Sequence, residues 1–123
     1  MSLALVYRIG AVYIALWVLL MLFAPDMVAA ETFGTELTLS LRAIMQAMAL
    51  CMITIAIIHW TLPTWATDSA HRYGVLFAFI WAAFAILNLV HMSVGMEVAS
   101  VQNYVSAGIM GIIAILFYIK SSA

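Results

Sequence analysis

Charge is almost missing from this chain. Of its 123 residues only four are Lys or Arg and five are Asp or Glu, giving a net charge of −1 with histidine neutral. So sparse a set offers no basic footprint for phosphates, and nucleic-acid partners are not expected. Cysteine occurs once, as Cys51. No disulfide can therefore form within the chain, and no Cys-x-x-Cys motif exists. Catalytic signatures are missing too: there is no Ser–His–Asp or Cys–His arrangement, no carboxylate pair at one depth, no His-Glu-x-x-His and no glycine-rich phosphate loop. Nothing in the sequence argues for an enzyme.

Hydrocarbon fills the space that charge leaves. Hydrophobic residues make up 68% of the chain and the mean hydropathy is +1.21, more apolar surface than a soluble domain of this length can hide. It is gathered into four runs, 3–24, 37–62, 73–96 and 100–119. Each reaches the ~20 residues that a helix needs to cross a hydrocarbon core of ~30 Å. The expected fold is all-α: a polytopic membrane protein forming a single transmembrane domain, an up-down four-helix bundle with the bilayer as its first partner.

The few charges set an expected orientation. Arg8, Arg72 and Lys120 flank the runs on one side, while Asp26, Glu31, Glu36 and Glu97 lie in the connections on the other. The positive-inside rule then puts both termini in the cytoplasm of a bacterial inner membrane. Arg42 departs from it, standing early in the second run from the outer end; it would snorkel towards Glu31 or Glu36 or face the bundle interior. The first run followed by Ala24, Pro25 and Ala29-Ala30 also has the shape of a signal peptide. Tyr13 and Trp17 suit a retained anchor at least as well, and four spans are expected. Glu36 and Thr35 are candidate caps for the second helix, and His59, His71 and Arg72 are placed at an interface or in a loop.

Intramembrane polar residues mark function or helix registry. At ~1.5 Å per residue, Arg42 and Gln46 lie about 8 and 14 Å below the outer end of the second helix, and His91 and Asn88 about 8 and 12 Å below that of the third. Arg42, Met45, Gln46 and Ala49 share one stripe, as do Asn88, His91, Met92 and Gly95. If the stripes face each other, Arg42, Gln46, Asn88 and His91 form a polar cluster beneath Glu97, Glu31 and Glu36. It would be a registry network, or a periplasm-facing pocket for a small polar ligand, a quinone or lipid headgroup, or an ion. His59 and His91 are separated by about 20 Å of depth, which excludes a haem held by both. The inner half has too few polar groups for a conduction path within one chain.

Nine methionines supply a metal alternative. His91, Met92, Met96 and Met45 form a candidate Cu(I) set, since imidazole and thioether ligands suit that ion. Met92-x-x-x-Met96 resembles the methionine spacing of trimeric copper transporters, without their glycine motif or helix count. Methionine equally fills gaps in apolar cores. No cofactor is required, and copper, quinone or bound lipid are the groups the chain could take.

Gly10, Pro25, Gly34 and Arg42 give the segment from Arg8 to Gln46 a resemblance to a family of uncharacterised bacterial four-helix membrane proteins, themselves loosely similar to DoxX-type proteins. The chain departs from that pattern after the arginine, where Ala43 and Gln46 stand in place of a glycine. The resemblance implies the four-helix fold and singles out Arg42; it carries no activity. The expected function is non-enzymatic: an accessory or assembly subunit packed against the subunits of a larger bioenergetic or transport complex, or in a homo-oligomer. A ligand-binding protein is the alternative.

Overall fold

The computed structural model describes residues 1–123 as helices joined by short connections. Helix α1 spans Leu3–Phe23 and begins where the Ser2 hydroxyl accepts from the Leu5 amide. A single turn, α2 (Pro25–Val28), runs into a π-helical turn over Ala29–Phe33, which Gly34 ends at φ +63°. Helix α3 covers Leu39–Trp65, α4 covers Ala70–Ser93 and α5 covers Val101–Ser122. No strand is present. Four of these helices are long and apolar enough to cross a membrane, as the four runs require.

Several boundaries differ from the sequence reading, each for a local reason. Thr38, rather than Thr35 or Glu36, caps α3 by accepting from the Leu41 amide at 3.1 Å; a short hydroxyl next to the first turn reaches that amide directly. Helix α3 continues past Pro63 to Trp65. Proline holds a helical φ and removes only one intrahelical donor, and the Ala66 amide still bonds the Leu62 carbonyl. Helix α4 starts at Ala70, so His71 and Arg72 lie in its first turn and not in a loop. At its far end the Met96 amide reaches the His91 carbonyl and the Gly95 amide the Met92 carbonyl. This is a Schellman closure around Gly95 at φ +78°.

The helices pack as two antiparallel pairs, α1 with α3 and α4 with α5, and α1 also touches α5. Both termini and the Thr67–Ser69 turn lie at one end, called proximal: the Tyr7 hydroxyl donates to the Ala70 carbonyl at 2.8 Å and the His71 ring meets the Ser121 carbonyl at 3.2 Å. The other end is distal. In the proximal half all four long helices meet, with Val6, Tyr7, Ala56, Trp81, Ile113 and Phe117 in one buried cluster. The distal cluster is built differently. Val18 and Met21 of α1 and Met45 and Ala49 of α3 close around Val28 and Ala29, with no residue from α4 or α5. The connection after α1 thus folds back into the bundle and occupies the distal space beside α3.

Candidate functional site

Buried polar groups in this fold form three nodes. The distal rim holds the first. Glu97, in the connection after α4, folds back over the last turn of its own helix and is only 11% exposed. One carboxylate oxygen accepts from Asn88 Nδ2, and the other lies 3.1 Å from His91 Nδ1. With His91 protonated this contact is an ion pair; with His91 neutral the ring donates from Nδ1. Asn88 and His91 share a face because they are three residues apart. The Schellman closure then turns the chain so that Glu97 meets both. Asn88 Oδ1 is buried without a partner.

Arg42 and Gln46 are not brought to this node. Both lie exposed on α3, and neither makes a side-chain hydrogen bond to Asn88, His91 or Glu97. The expected four-residue cluster does not form. Equal depth places residues in one layer but leaves helix rotation open. The stripe of α3 carrying Met45 and Ala49 turns towards α1 and α2, with Arg42 and Gln46 on its flank. Of the four candidate copper ligands, Met45 is enclosed between α1 and α3, in a cluster with no α4 residue, while His91, Met92 and Met96 share the closing turn of α4, with Met92 buried and Met96 65% exposed. Glu31 and Glu36 lie exposed in the first connection and form no roof with Glu97.

The second node is Asn103, which is 1% exposed. Its Nδ2 donates to the Val98 carbonyl at 2.8 Å and lies 3.3 Å from the Thr32 carbonyl. The Val98 amide bonds the same Thr32 carbonyl at 2.9 Å. One carboxamide thereby ties the two distal connections together, next to Gly34, where a Cβ would come within 2.9 Å of Val98.

The third node is His59, which the sequence reading assigned to the interface. It is 2% exposed. Its Nε2 accepts from Trp81 Nε1 at 3.2 Å, and its Nδ1 lies 3.1 Å from the Ile55 carbonyl. Accepting at Nε2 leaves Nδ1 as the donor, so the ring is a neutral Nδ1–H tautomer with both nitrogens satisfied. Phe77, Tyr7 and Phe117 surround it, with the Phe77 centroid 4.3 Å away, and Gly10 leaves room for its edge. The sequence signal was present but hidden: Gly10, His59 and Trp81 lie on three different helices. Only packing shows that the glycine receives the ring.

Apart from Asn88 Oδ1, the carboxylate, carboxamide and imidazole groups of these nodes bond one another, the Trp81 indole or backbone carbonyls. No group of three His, Cys, Asp or Glu side chains is assembled for a metal ion. Tyr13 of α1 and Ser106 of α5 form a further hydroxyl pair across two helices. The fold defines a multi-pass membrane protein. No protein-family model, curated protein or solved structure matches the chain.

Proposed function

We propose that this protein is a non-enzymatic accessory subunit of a larger membrane complex, docked through the α1–α3 side of its bundle. The observation that carries the reading is the state of α3. Only 17% of its most apolar window is buried, against 39% for α1, yet Arg42 and Gln46 stand one turn apart on its exposed surface. Arg42 lies in the first turn of α3, at the boundary, and Gln46 a turn deeper, where an exposed polar side chain is costly and gains from a partner at the same depth. Below them runs a shallow apolar groove between α1 and α3, floored by Ala11, Ala15 and Ala56. Small side chains let a neighbouring helix approach closely, the main source of helix affinity in lipid.

Orientation follows the same physics. Arg8, Arg72 and Lys120 lie at the proximal end and Glu31, Glu36 and Glu97 at the distal end, which supports a cytoplasmic proximal end in a bacterial inner membrane. Arg8 rests over the Trp60 ring at 5.4 Å, an aromatic and a cation together at interfacial depth.

Gentle extraction from the native membrane, followed by native mass spectrometry, tests the docking. Wild type should be held in a mass with larger subunits, and Arg42→Leu with Gln46→Leu should leave a folded chain that has lost them. A wild-type chain that emerges alone under mild conditions would sink the proposal. The ligand-binding alternative rests on one atom, the unpartnered Asn88 Oδ1; its mark would be quinone or copper retained by wild type and lost in Asn88→Leu.

A further inference from the structure

On the opposite side of α1 from the α3 groove, a second cleft of about 260 Å³ runs between α1 and α5 in the distal half. Its chemistry is graded along its length. The mouth is at Gln102, in the first turn of α5, and beside the distal end of α1 at Leu20. Ile109 lies at the bottom, seven residues further along α5, or about 10 Å deeper. Between them the walls are hydrocarbon and the face of Trp17. Tyr13 and Ser106 stand within the cleft, but their hydroxyls bond each other. The deep end therefore offers a satisfied pair instead of a free donor.

Gln102 is different. It is part-exposed at the mouth, and its carboxamide makes no side-chain hydrogen bond within the protein, although Asn103 beside it makes three. The first turn of a spanning helix lies at the boundary of the hydrocarbon core. A polar group at that level, above an apolar trough of about 10 Å, matches a molecule that is polar at one end and hydrocarbon below.

We infer that the α1–α5 cleft seats one acyl chain of a glycerophospholipid of the distal leaflet, with the Gln102 carboxamide donating to its ester carbonyl. The placement of the free carboxamide at the mouth, over a trough with no other unsatisfied polar group, is what selects this occupant. Leu16, Met27 and Val105 are 54%, 41% and 55% exposed along its edges. They leave an apolar channel between them whose one polar group without a protein partner, Gln102, stands at the mouth. A single flexible chain passes between them. A quinone ring fits less well, because it would need donors at both carbonyls and the only unbonded carboxamide is at the mouth. Mutual Tyr13–Ser106 bonding also keeps the floor free of any unsatisfied group that hydrocarbon would have to cover. The inference is independent of subunit docking, which uses the other side of α1.

The test uses the purified full chain in nanodiscs of equimolar dioleoyl phosphatidylethanolamine and dioleoyl phosphatidylglycerol, released into native mass spectrometry. Wild type should retain one phospholipid under activation that strips the rest. Val105→Trp, which fills the cleft from its rim, should cut that retained fraction at least tenfold. Gln102→Leu, at a side chain the fold does not use, should cut it severalfold with helicity unchanged. Leu50→Trp, on exposed α3, should retain lipid like wild type. Equal retention in wild type, Gln102→Leu and Val105→Trp overturns the site, and so does equal loss in Leu50→Trp. Addition of an isoprenoid quinone gives a separate arm: retention of quinone in place of phospholipid overturns the assignment of the occupant. Because the sample contains no other protein, failure here leaves the docking proposal standing, and failure of docking leaves this one standing.

Discussion

The proximal and distal halves of the bundle satisfy their polar groups by different means. In the proximal half, Tyr7, His59 and Trp81 are enclosed by aromatic rings contributed by four helices, and each bonds across to a different helix or down its own. In the distal half the bonds go to connections. Asn103 holds carbonyls of two loops, and Glu97 returns to the helix it has just left. The difference follows from what each end must close. Proximally, the connection between α3 and α4 is a single short turn, so the helices themselves converge. Distally, residues 24–38 fold back between α1, α3 and α5, and their irregular carbonyls need donors that only side chains supply. One half is held by packing and the other by hydrogen bonds to loops.

Substitutions can break this contrast, and their expected effects fall in order. Phe117→Ala removes a fully buried ring where four helices meet and should cost about 3–5 kcal/mol in unfolding from detergent. A loss under ~1 kcal/mol would show that the proximal half collapses around the cavity. Trp81→Phe keeps the bulk but strips the donor from His59 Nε2, at about 1–3 kcal/mol; no change in unfolding would mean that the bond contributes nothing. Distally the penalties should be smaller because water can replace lost donors. Asn103→Ala should cost about 1 kcal/mol and speed amide exchange at Val98, whose amide bonds the Thr32 carbonyl. Unchanged exchange there would refute a shared clamp. Arg42→Leu should change the stability of the isolated chain by less than ~0.5 kcal/mol, since the Arg42 side chain is exposed and makes no hydrogen bond in it, and its backbone bond to the Thr38 carbonyl survives the substitution. A large loss would place Arg42 inside the bundle's own network.

Much of the scaffold was readable from residue order. The four runs became α1, α3, α4 and α5 with ends shifted by three residues or fewer. The tight turn at Glu97 made α4 and α5 antiparallel neighbours. Asn88 and His91 were placed on one face, where three-residue spacing on a helix must put them. Reading failed where it needed helix rotation. Arg42 and Gln46 matched Asn88 and His91 in depth, yet the folded-back Val28 and Ala29 occupy the distal cluster with Met45 and Ala49. A run of small and acidic residues read as a plain loop gave no warning of that. His59 was misplaced for the converse reason: near a helix end it looked interfacial, while Trp81 and Gly10, on two other helices, provided its bond and its space.

Sequence alone determined that this chain has four membrane-crossing runs and, to within about a turn, where each lies. Those properties follow from hydrocarbon length, local caps and the scarcity of charge, each a matter of nearest neighbours along the chain. Tertiary structure decided which polar side chains meet, because every long helix is apolar over nearly its whole circumference and no face is marked by sequence as inward. With hydropathy uniform around each helix, rotation is chosen by steric fit and by hydrogen bonds between distant segments. These are Gly10 against His59, Asn103 against Thr32 and Val98, and Tyr13 against Ser106.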